Sequence, residues 1–265
     1  MPRFKLTLEY AGTRYSGWQI QKNARTVQGE LDRAIRTVTK REKFELYGSG
    51  RTDAGVHALA QVAHLDIATT LPTQTLLTRI NDELPADVNV LKIETVSHRF
   101  HARHGATSRS YVYQIAQRRT AFAKPFVWWV KDPLDVNAMR AAAAQFMGFK
   151  DFQSFTDDDP DEKSTTVQVE RVEVIEDGAL LLVRVAGSHF LWKMVRRIVG
   201  VLVAVGKGEL KAAAVAKLLS SESASDAPAR LTAPASGLFL ERVTYEGDRD
   251  SSAAPFEPFL RLPRG

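Results

Sequence analysis

The sequence predicts an α/β protein of the α+β kind, built from two pseudo-repeated split-βαβ (ferredoxin-like) halves. Three observations predict it. Short runs of alternating apolar and polar residues are interleaved with runs of helical periodicity. Their order is βαββαβ, met twice along the chain. A chain of 265 residues with 44% hydrophobic content is long enough to give each half its own core.

In the first half Phe4–Glu9 alternates as a strand, and Thr26–Thr39 places Val27, Leu31, Ala34, Ile35 and Val38 on one helical stripe. Phe44–Tyr47 and Gln61–Ile67 read as strands, Thr73–Leu84 as a helix beginning after Pro72, and Val88–Val96 as a closing strand. The second half repeats that order with strand Ser108–Ala116, helix Asp135–Met147, strands Thr166–Glu176 and Ala179–Ala186 about a turn at Asp177-Gly178, helix Phe190–Val205 and strand Leu238–Tyr245. A short helix, Lys211–Leu219, is added. Asp157–Glu162 reads as a solvated acidic connection and Ser220–Pro234 as a small-residue linker. No residue-level repeat accompanies the duplication, which rests on element order. The expected division is 1–105, 106–250 and a proline-rich tail, 251–265, with a cleft between the halves.

Composition narrows the chemistry. There is no cysteine, so disulfides, thiolate nucleophiles and thiolate metal sites are excluded. No run approaches the roughly 18–20 apolar residues of a membrane span, and the charged Met1–Tyr10 is unlike a signal peptide, so a cytoplasmic location is expected. The formal charge of +5 is unevenly spread. Between Glu94 and Asp132 there is no acid but Arg99, Arg103, Arg109, Arg118, Arg119, Lys124 and Lys131. Between Asp177 and Glu209 only Arg184, Lys193, Arg196, Arg197 and Lys207 are charged. Two such zones suggest a phosphate-binding surface lining the cleft; a solvated basic face is the plainer alternative.

The most unusual segment is Gly48-Ser49-Gly50-Arg51-Thr52-Asp53-Ala54-Gly55-Val56-His57, which sets glycines, an arginine and an aspartate between two predicted strands. No Gly-Lys-Ser/Thr follows, so it is no Walker loop, and the glycines suit close approach of another backbone or a nucleotide. Gly50–His57 resembles the catalytic motif of TruA-type tRNA pseudouridine synthases. Tyr15-Ser16-Gly17-Trp18-Gln19 with Thr26-Val27-Gln28 is similar to that family's N-terminal signature, and Asn81-Asp82-Glu83-Leu84-Pro85 to its Asn…Leu-Pro segment. Phe100-His101-Ala102-Arg103 with Arg109-Ser110-Tyr111-Val112-Tyr113, then Phe190–Gly200, then Gly237-Leu238-Phe239-Leu240, follow in family order.

The resemblance implies the pseudouridine synthase fold, a homodimer, no metal or organic cofactor, and isomerisation of uridine at tRNA positions 38, 39 and 40 in the anticodon arm. It makes Asp53 the catalytic carboxylate. Uracil must leave ribose C1′, turn, and rejoin through C5; a carboxylate can attack C1′, add to uracil C6, or remove a ribose proton, and all three stay open. Arg51 by its spacing, or Arg196 by the place the duplicated architecture gives its helix across the cleft, could pair with Asp53 and keep it ionised. The resemblance assigns Arg196 as the aspartate's partner and Arg51 to the flipped nucleotide. Tyr111 and Tyr113 alternate on one strand face; the resemblance singles out Tyr111 as the ring on which the target uracil stacks.

Some residues depart from the pattern. His104-Gly105 stands where Phe-Ser is common, and the acidic loop Asp157–Glu162 follows Asp151–Phe155 where a basic run is often found. His98, His101 and His104, or His57 and His64 with Asp66, could be taken for metal ligands, but phosphate contacts explain the arginine-rich first trio better. Trp128-Trp129 and Ala141–Ala144 read as core and helix packing. A non-catalytic tRNA-binding protein would keep the basic zones and could lose Asp53; a metal-dependent hydrolase would respond to chelators.

Overall fold

The structure, a computed structural model, describes residues 1–162, 164–220, 225–248 and 261–262. They form two compact units. The first comprises residues 1–107 and 239–248; the second comprises 108–238 with the described residues 261–262.

The first unit begins with β1 (Arg3–Tyr10), whose even positions are buried, and continues with α1 (Val27–Thr39), β2 (Glu45–Gly48), β3 (His57–Asp66), α2 (Thr73–Glu83) and β4 (Val88–Val96). β1 lies between β4 and β3, antiparallel to both, and β2 pairs antiparallel with the far half of β3. Split-βαβ units have this arrangement. α1 starts where the Thr26 hydroxyl accepts the Gly29 N–H and ends at Lys40, in the left-handed region at φ 54°. It buries Val27, Leu31, Ala34 and Ile35, each such aliphatic side chain larger than alanine contributing about 1.5–3 kcal/mol. α2 packs on α1 and β4. The Asn81 side chain ties α2 to β4, donating to Val90 O and accepting from Val90 N, both at 2.8 Å.

β2 and β3 part after Gly48. Ser49 N still reaches Val62 O at 2.7 Å, but residues 50–56 leave the sheet, and the edge of β3 they vacate is taken by β10 (Leu238–Tyr245), which pairs in parallel at Phe239↔His57 and Leu240↔Ala58. Residues 239–248 therefore group with the first unit although they come late in the chain. The far end of β10 is fixed by the Tyr245 hydroxyl, which donates to Ala102 O at 2.7 Å, and by the Lys5 ammonium lying 4.6 Å from the Tyr245 ring centre.

In the second unit the strand order is β5 (Ala106–Ala116), β9 (Leu180–Gly187), β8 (Thr166–Asp177), β7 (Gly148–Asp151), with the two-residue β6 (Trp128–Trp129) parallel to β5. β8 and β9 form the expected hairpin, turning at Gly178 with φ 60°. α3 (Val136–Ala143) is capped by Asp135, which accepts the Ala138 N–H, and packs on α4 (Met194–Gly206) and β8. Ala142 and Ala143 are buried in that contact.

Several boundaries differ from expectation for physical reasons. The helix foreseen to Met147 gives way to a 3-10 turn, Ala144–Phe146, because Phe146 swings into the core beside Phe152 and Phe155; Gly148, at φ 96°, then opens the unforeseen edge strand β7. α4 starts at Met194 instead of Phe190, because Lys193 sits at φ 60°. α5 (Ala214–Leu218) is shorter than the expected Lys211–Leu219. The stretch expected as a linker contains α6 (Ala227–Arg230), which packs on α4; its residues 221–224 lie outside the described residues. Trp129 is not core: it is 42% exposed, with the Arg119 guanidinium over its ring at 5.8 Å. Most of the expected tail also lies outside the described residues; Leu262 is partly buried against Ala116, Val127 and Leu180 and accepts the Ala179 N–H.

Candidate active site

The loop carrying Asp53 is held by the segment that precedes α1. Trp18 N donates to Thr52 O at 3.1 Å, Gly55 N to Tyr15 O at 3.3 Å, and Val56 N closes a turn onto Asp53 O at 3.1 Å. Gly17, at φ 90°, lies so close beneath that a Cβ there would be 2.4 Å from Thr52 O and 3.2 Å from the Asp53 carbonyl carbon. The same segment is bonded to α1 through Val27 N to Gly17 O and Gln28 N to Trp18 O, and the buried Trp18 ring fills the space above Gly48, where a Cβ would meet it at 2.6 Å. The three sequence blocks around residues 15–19, 26–28 and 48–57 are thus one packed object. Gly50 differs: nothing lies within 4 Å of a Cβ placed on it, so its glycine is not explained by close approach of the protein's own backbone.

Beneath the loop runs a buried polar relay that the sequence reading missed. Ser49 Oγ donates to Gln61 Oε1 at 2.7 Å, Gln61 Nε2 donates to Gly50 O at 3.1 Å, and the Tyr10 and Thr52 hydroxyls are 2.8 Å apart. Unpaired, these groups would each cost about 1–3 kcal/mol; paired, they fix the loop's backbone from below. The available signal was a glutamine within an apolar strand pattern. On the outer side, Tyr15 donates to Asp87 at 2.5 Å, and Arg14 pairs with the same carboxylate at 2.7 Å. Burial and that bond push the Tyr15 phenol well above its usual range; burial would raise Asp87 too, but the hydrogen bonds from Tyr15 and Arg14 and the Arg14 charge together hold it low. Asp53 is thereby presented half-buried on a rigid turn, with Arg51 exposed two residues before it.

The histidines have local roles. His57 Nδ1 accepts the Gly12 N–H at 3.0 Å and its ring stacks on Phe239 at 4.6 Å, placing β10 directly beside the end of the loop. His64 Nδ1 accepts the Ala102 N–H at 3.2 Å; burial, then the charge of Arg3 and the neighbouring His101, push its pKa down to about 4. His101 Nδ1 caps the turn made by Arg103 and His104. Asp66 is engaged by Arg3 at 2.5 and 2.7 Å. Among the described residues no group of three or more His, Asp and Glu is arranged to hold a metal ion.

Tyr111 and Arg196 belong to the second unit. The two tyrosines of β5 have different surroundings. Tyr113 is fully buried, its hydroxyl donating to Pro234 O at 2.8 Å and its ring against Gly237, and burial pushes its phenol far above the usual range. Tyr111 is only partly buried, edge-on to Phe190 with centroids 5.2 Å apart. Arg196 sits in the first turn of α4; its Nε donates to Ala233 O at 2.7 Å and its carbonyl accepts the Ala233 N–H at 3.1 Å.

In the second basic zone four of the five cations are met by acids, which its composition does not suggest. Arg184 is buried and lies 3.7 Å from Glu173, Lys207 pairs with Asp132 at 3.1 Å, and Lys193 and the buried Arg197 both pair with Asp157. Their acids come from outside the zone, so counting charges along the chain could not reveal them. Nor is the acidic loop merely a solvated connection: Asp158 also accepts the Trp192 N–H at 3.1 Å. In the first zone Arg99, Arg103, Arg119, Lys124 and Lys131 are exposed.

Known proteins resemble this chain over most of its length. A protein from Rhodopseudomonas palustris called tRNA pseudouridine synthase A is 41% identical over 249 residues, covering 93% of this chain and all of the relative. One of the same name from Halalkalibacterium halodurans is 38% identical over 244 residues, covering 91% and 92%. Among solved structures, a chain of the archaeal box H/ACA sRNP Nop10-Cbf5 complex aligns over 86% of this chain and 58% of that one at 14% identity, with a TM-score of 0.35. The model of a family described as tRNA pseudouridine synthase matches residues 7–104 and 142–246, which together take in both units, and the chain belongs to that family.

Proposed function

We propose that the protein isomerises uridine to pseudouridine at positions 38, 39 and 40 in the anticodon stem and loop of tRNA, with Asp53 as the catalytic carboxylate. The observation that carries this reading is the loop itself: a half-buried carboxylate on a turn tied down by Tyr15, Trp18, Gly17 and a buried glutamine. Such support is what a group needs when it must act at one atom of a substrate without being carried along by it.

The reaction is balanced within the substrate. The N1–C1′ bond breaks, a C5–C1′ bond forms, N1 gains a proton and C5 loses one. No water is activated, so the second carboxylate of a hydrolytic glycosidase is not required. Attack at C1′, addition at C6 and removal of a ribose proton are all open to Asp53. Tyr111 serves as the ring on which the flipped uracil stacks; Arg51 engages the flipped nucleotide; Arg196 supplies the cation for Asp53. Tyr111's partial exposure supports the first of these roles and the exposure of Arg51 the second. On this reading residues 1–105 carry the catalytic aspartate and 106–250 the stacking ring and the second arginine, without metal or organic cofactor.

The protein works as a homodimer in the cytoplasm on the same reading, since a 29.4 kDa subunit is small beside the tRNA it must hold. Among the described residues no helix is long and apolar enough to cross a membrane. The deciding experiment is to map pseudouridine in unmodified tRNA after incubation with the purified protein. Modification confined to positions 38–40 is expected; its absence with Asp53 intact, or its persistence in Asp53→Asn, would refute the assignment. Sedimentation at micromolar concentration tests the dimer.

A further inference from the structure

We infer that Asp157 is a positioning residue for the reaction: through Lys193 and Arg197 it fixes the opening turn of α4 and, with it, the direction of the Arg196 side chain. The inference rests on the reading that Arg196 takes part in the chemistry.

The N-terminus of α4 lacks its usual supports. Lys193, in the N-cap position, is left-handed at φ 60°, no side chain caps the turn from that position, and the first turn of the helix holds no acid. The support comes from the acidic loop. Asp157 accepts from Lys193 Nζ at 2.9 Å and from Arg197 Nη2, and Asp158 accepts the backbone N–H of Trp192. Arg197 is 3% exposed, and its buried Nε has no hydrogen-bond partner among the described residues. A guanidinium so desolvated depends on the carboxylate it does have. Hydrogen bonds from Lys193 and then Arg197 hold the Asp157 carboxyl below the usual carboxylate range.

Neighbouring helical residues point about 100° apart. Arg197 is drawn to Asp157 while Arg196 is tied to Ala233 at 2.7 Å, so the first turn is gripped in two directions at once. A rotation of the turn that relieved one grip would break the other. The chain leading into this turn carries Phe190, which packs on Tyr111, so loosening it would also disturb the stacking ring. Asp157 and Asp158 thus brace the entry to α4, and one of the cations they meet, Arg197, is buried.

The test compares single-turnover rates and tRNA affinity for Asp157→Asn, Asp157→Glu, Arg196→Ala and the double variant Asp157→Asn with Arg197→Gln, all well below their melting temperatures. The expected result is a fall in rate of tenfold or more for Asp157→Asn, an affinity within about threefold of the parent, and recovery of most of the rate in Asp157→Glu. The double variant strands no buried cation, since Lys193 keeps access to solvent, and so should fold even if Asp157→Asn does not. Its melting temperature should return towards the parent while its rate stays low. A double variant, or a folded Asp157→Asn, that turns over at the parent rate would overturn the inference, as would a loss confined to affinity. If Arg196→Ala keeps the parent rate, the reading beneath the inference fails instead; if Arg196→Ala is inactive and Asp157→Asn is not, the positioning role alone is lost.

Discussion

Replacing Asp53 by Asn removes a charge from the loop and keeps the side chain's size, while the backbone bonds of the turn and the Gln61 bond to Gly50 O remain. Turnover should disappear while tRNA affinity stays within a few-fold, measured by a binding titration beside a pseudouridine assay. The two tyrosines of β5 should separate cleanly. Tyr111→Ala should lose about 1–3 kcal/mol of base-pocket stabilisation and slow the single-turnover rate, with docking of the tRNA body little changed. Tyr113→Phe removes the buried bond to Pro234 O and should cost about 1 kcal/mol of stability with no specific loss of rate. Equal effects of the two on rate would refute the distinction. His64 gives a pH signature. Its folded-state pKa, about 4, lies below the ordinary 6.5, so as pH falls the unfolded chain takes up the proton first. Its contribution to stability is full above pH 6.5 and is lost progressively down to pH 4, on the order of 1–3 kcal/mol in all. Denaturant unfolding of the parent and of His64→Leu between pH 7 and 4.5 should show a steeper decline in the parent; parallel curves would exclude His64 as the source.

Gly17→Ala tests the packing of the loop against the segment before α1. With φ 90° and a Cβ only 2.4 Å from Thr52 O, the change should destabilise the first unit by about 1–3 kcal/mol and lower the rate, although residue 17 bears no functional group. A stable variant with the parent rate would show that the loop does not depend on that contact. Most elements of the first unit were legible in the sequence because each has a clean period and a local terminator: the Thr26 cap, Pro72 before α2, the alternation of β1. The second unit was less legible where tertiary contacts decide. Phe146 ends the α-helix early by entering a cluster with Phe152 and Phe155, and α4 begins late because its entry is held by acids some 35 residues upstream, as in the Asp158–Trp192 bond at a separation of 34. Asp53, Arg51, Tyr111 and Arg196 could be proposed as site candidates because motifs in family order carry a resemblance. The Tyr10–Thr52 and Ser49–Gln61 pairs that support the loop could not, since no local pattern marks which polar residues meet in a core.

Affinity for tRNA should fall steeply with salt, but the dependence should come from the first basic zone. Charge reversal at Arg99 and Arg103, both exposed, should lower the slope of log K against log salt by roughly 0.7–0.9 for each phosphate that is no longer neutralised. Reversal at Arg184 or Lys207, whose charges are met by Glu173 and Asp132, should lower stability and leave the slope alone; a changed slope there would restore the second zone as a phosphate surface. The position of β10 has a consequence for the timing of synthesis. His57, at the end of the Asp53 loop, stacks on Phe239, and the edge of β3 beside it pairs with residues 239 and 240. All of the second unit's chain up to Leu238 must be translated between the two parts of the first, which at roughly 5–20 residues per second takes on the order of ten seconds. Throughout that interval the Asp53 loop exists on the ribosome with its neighbouring sheet edge open, so a nascent chain halted before Phe239 should be inactive, and activity should appear only once β10 has left the ribosome.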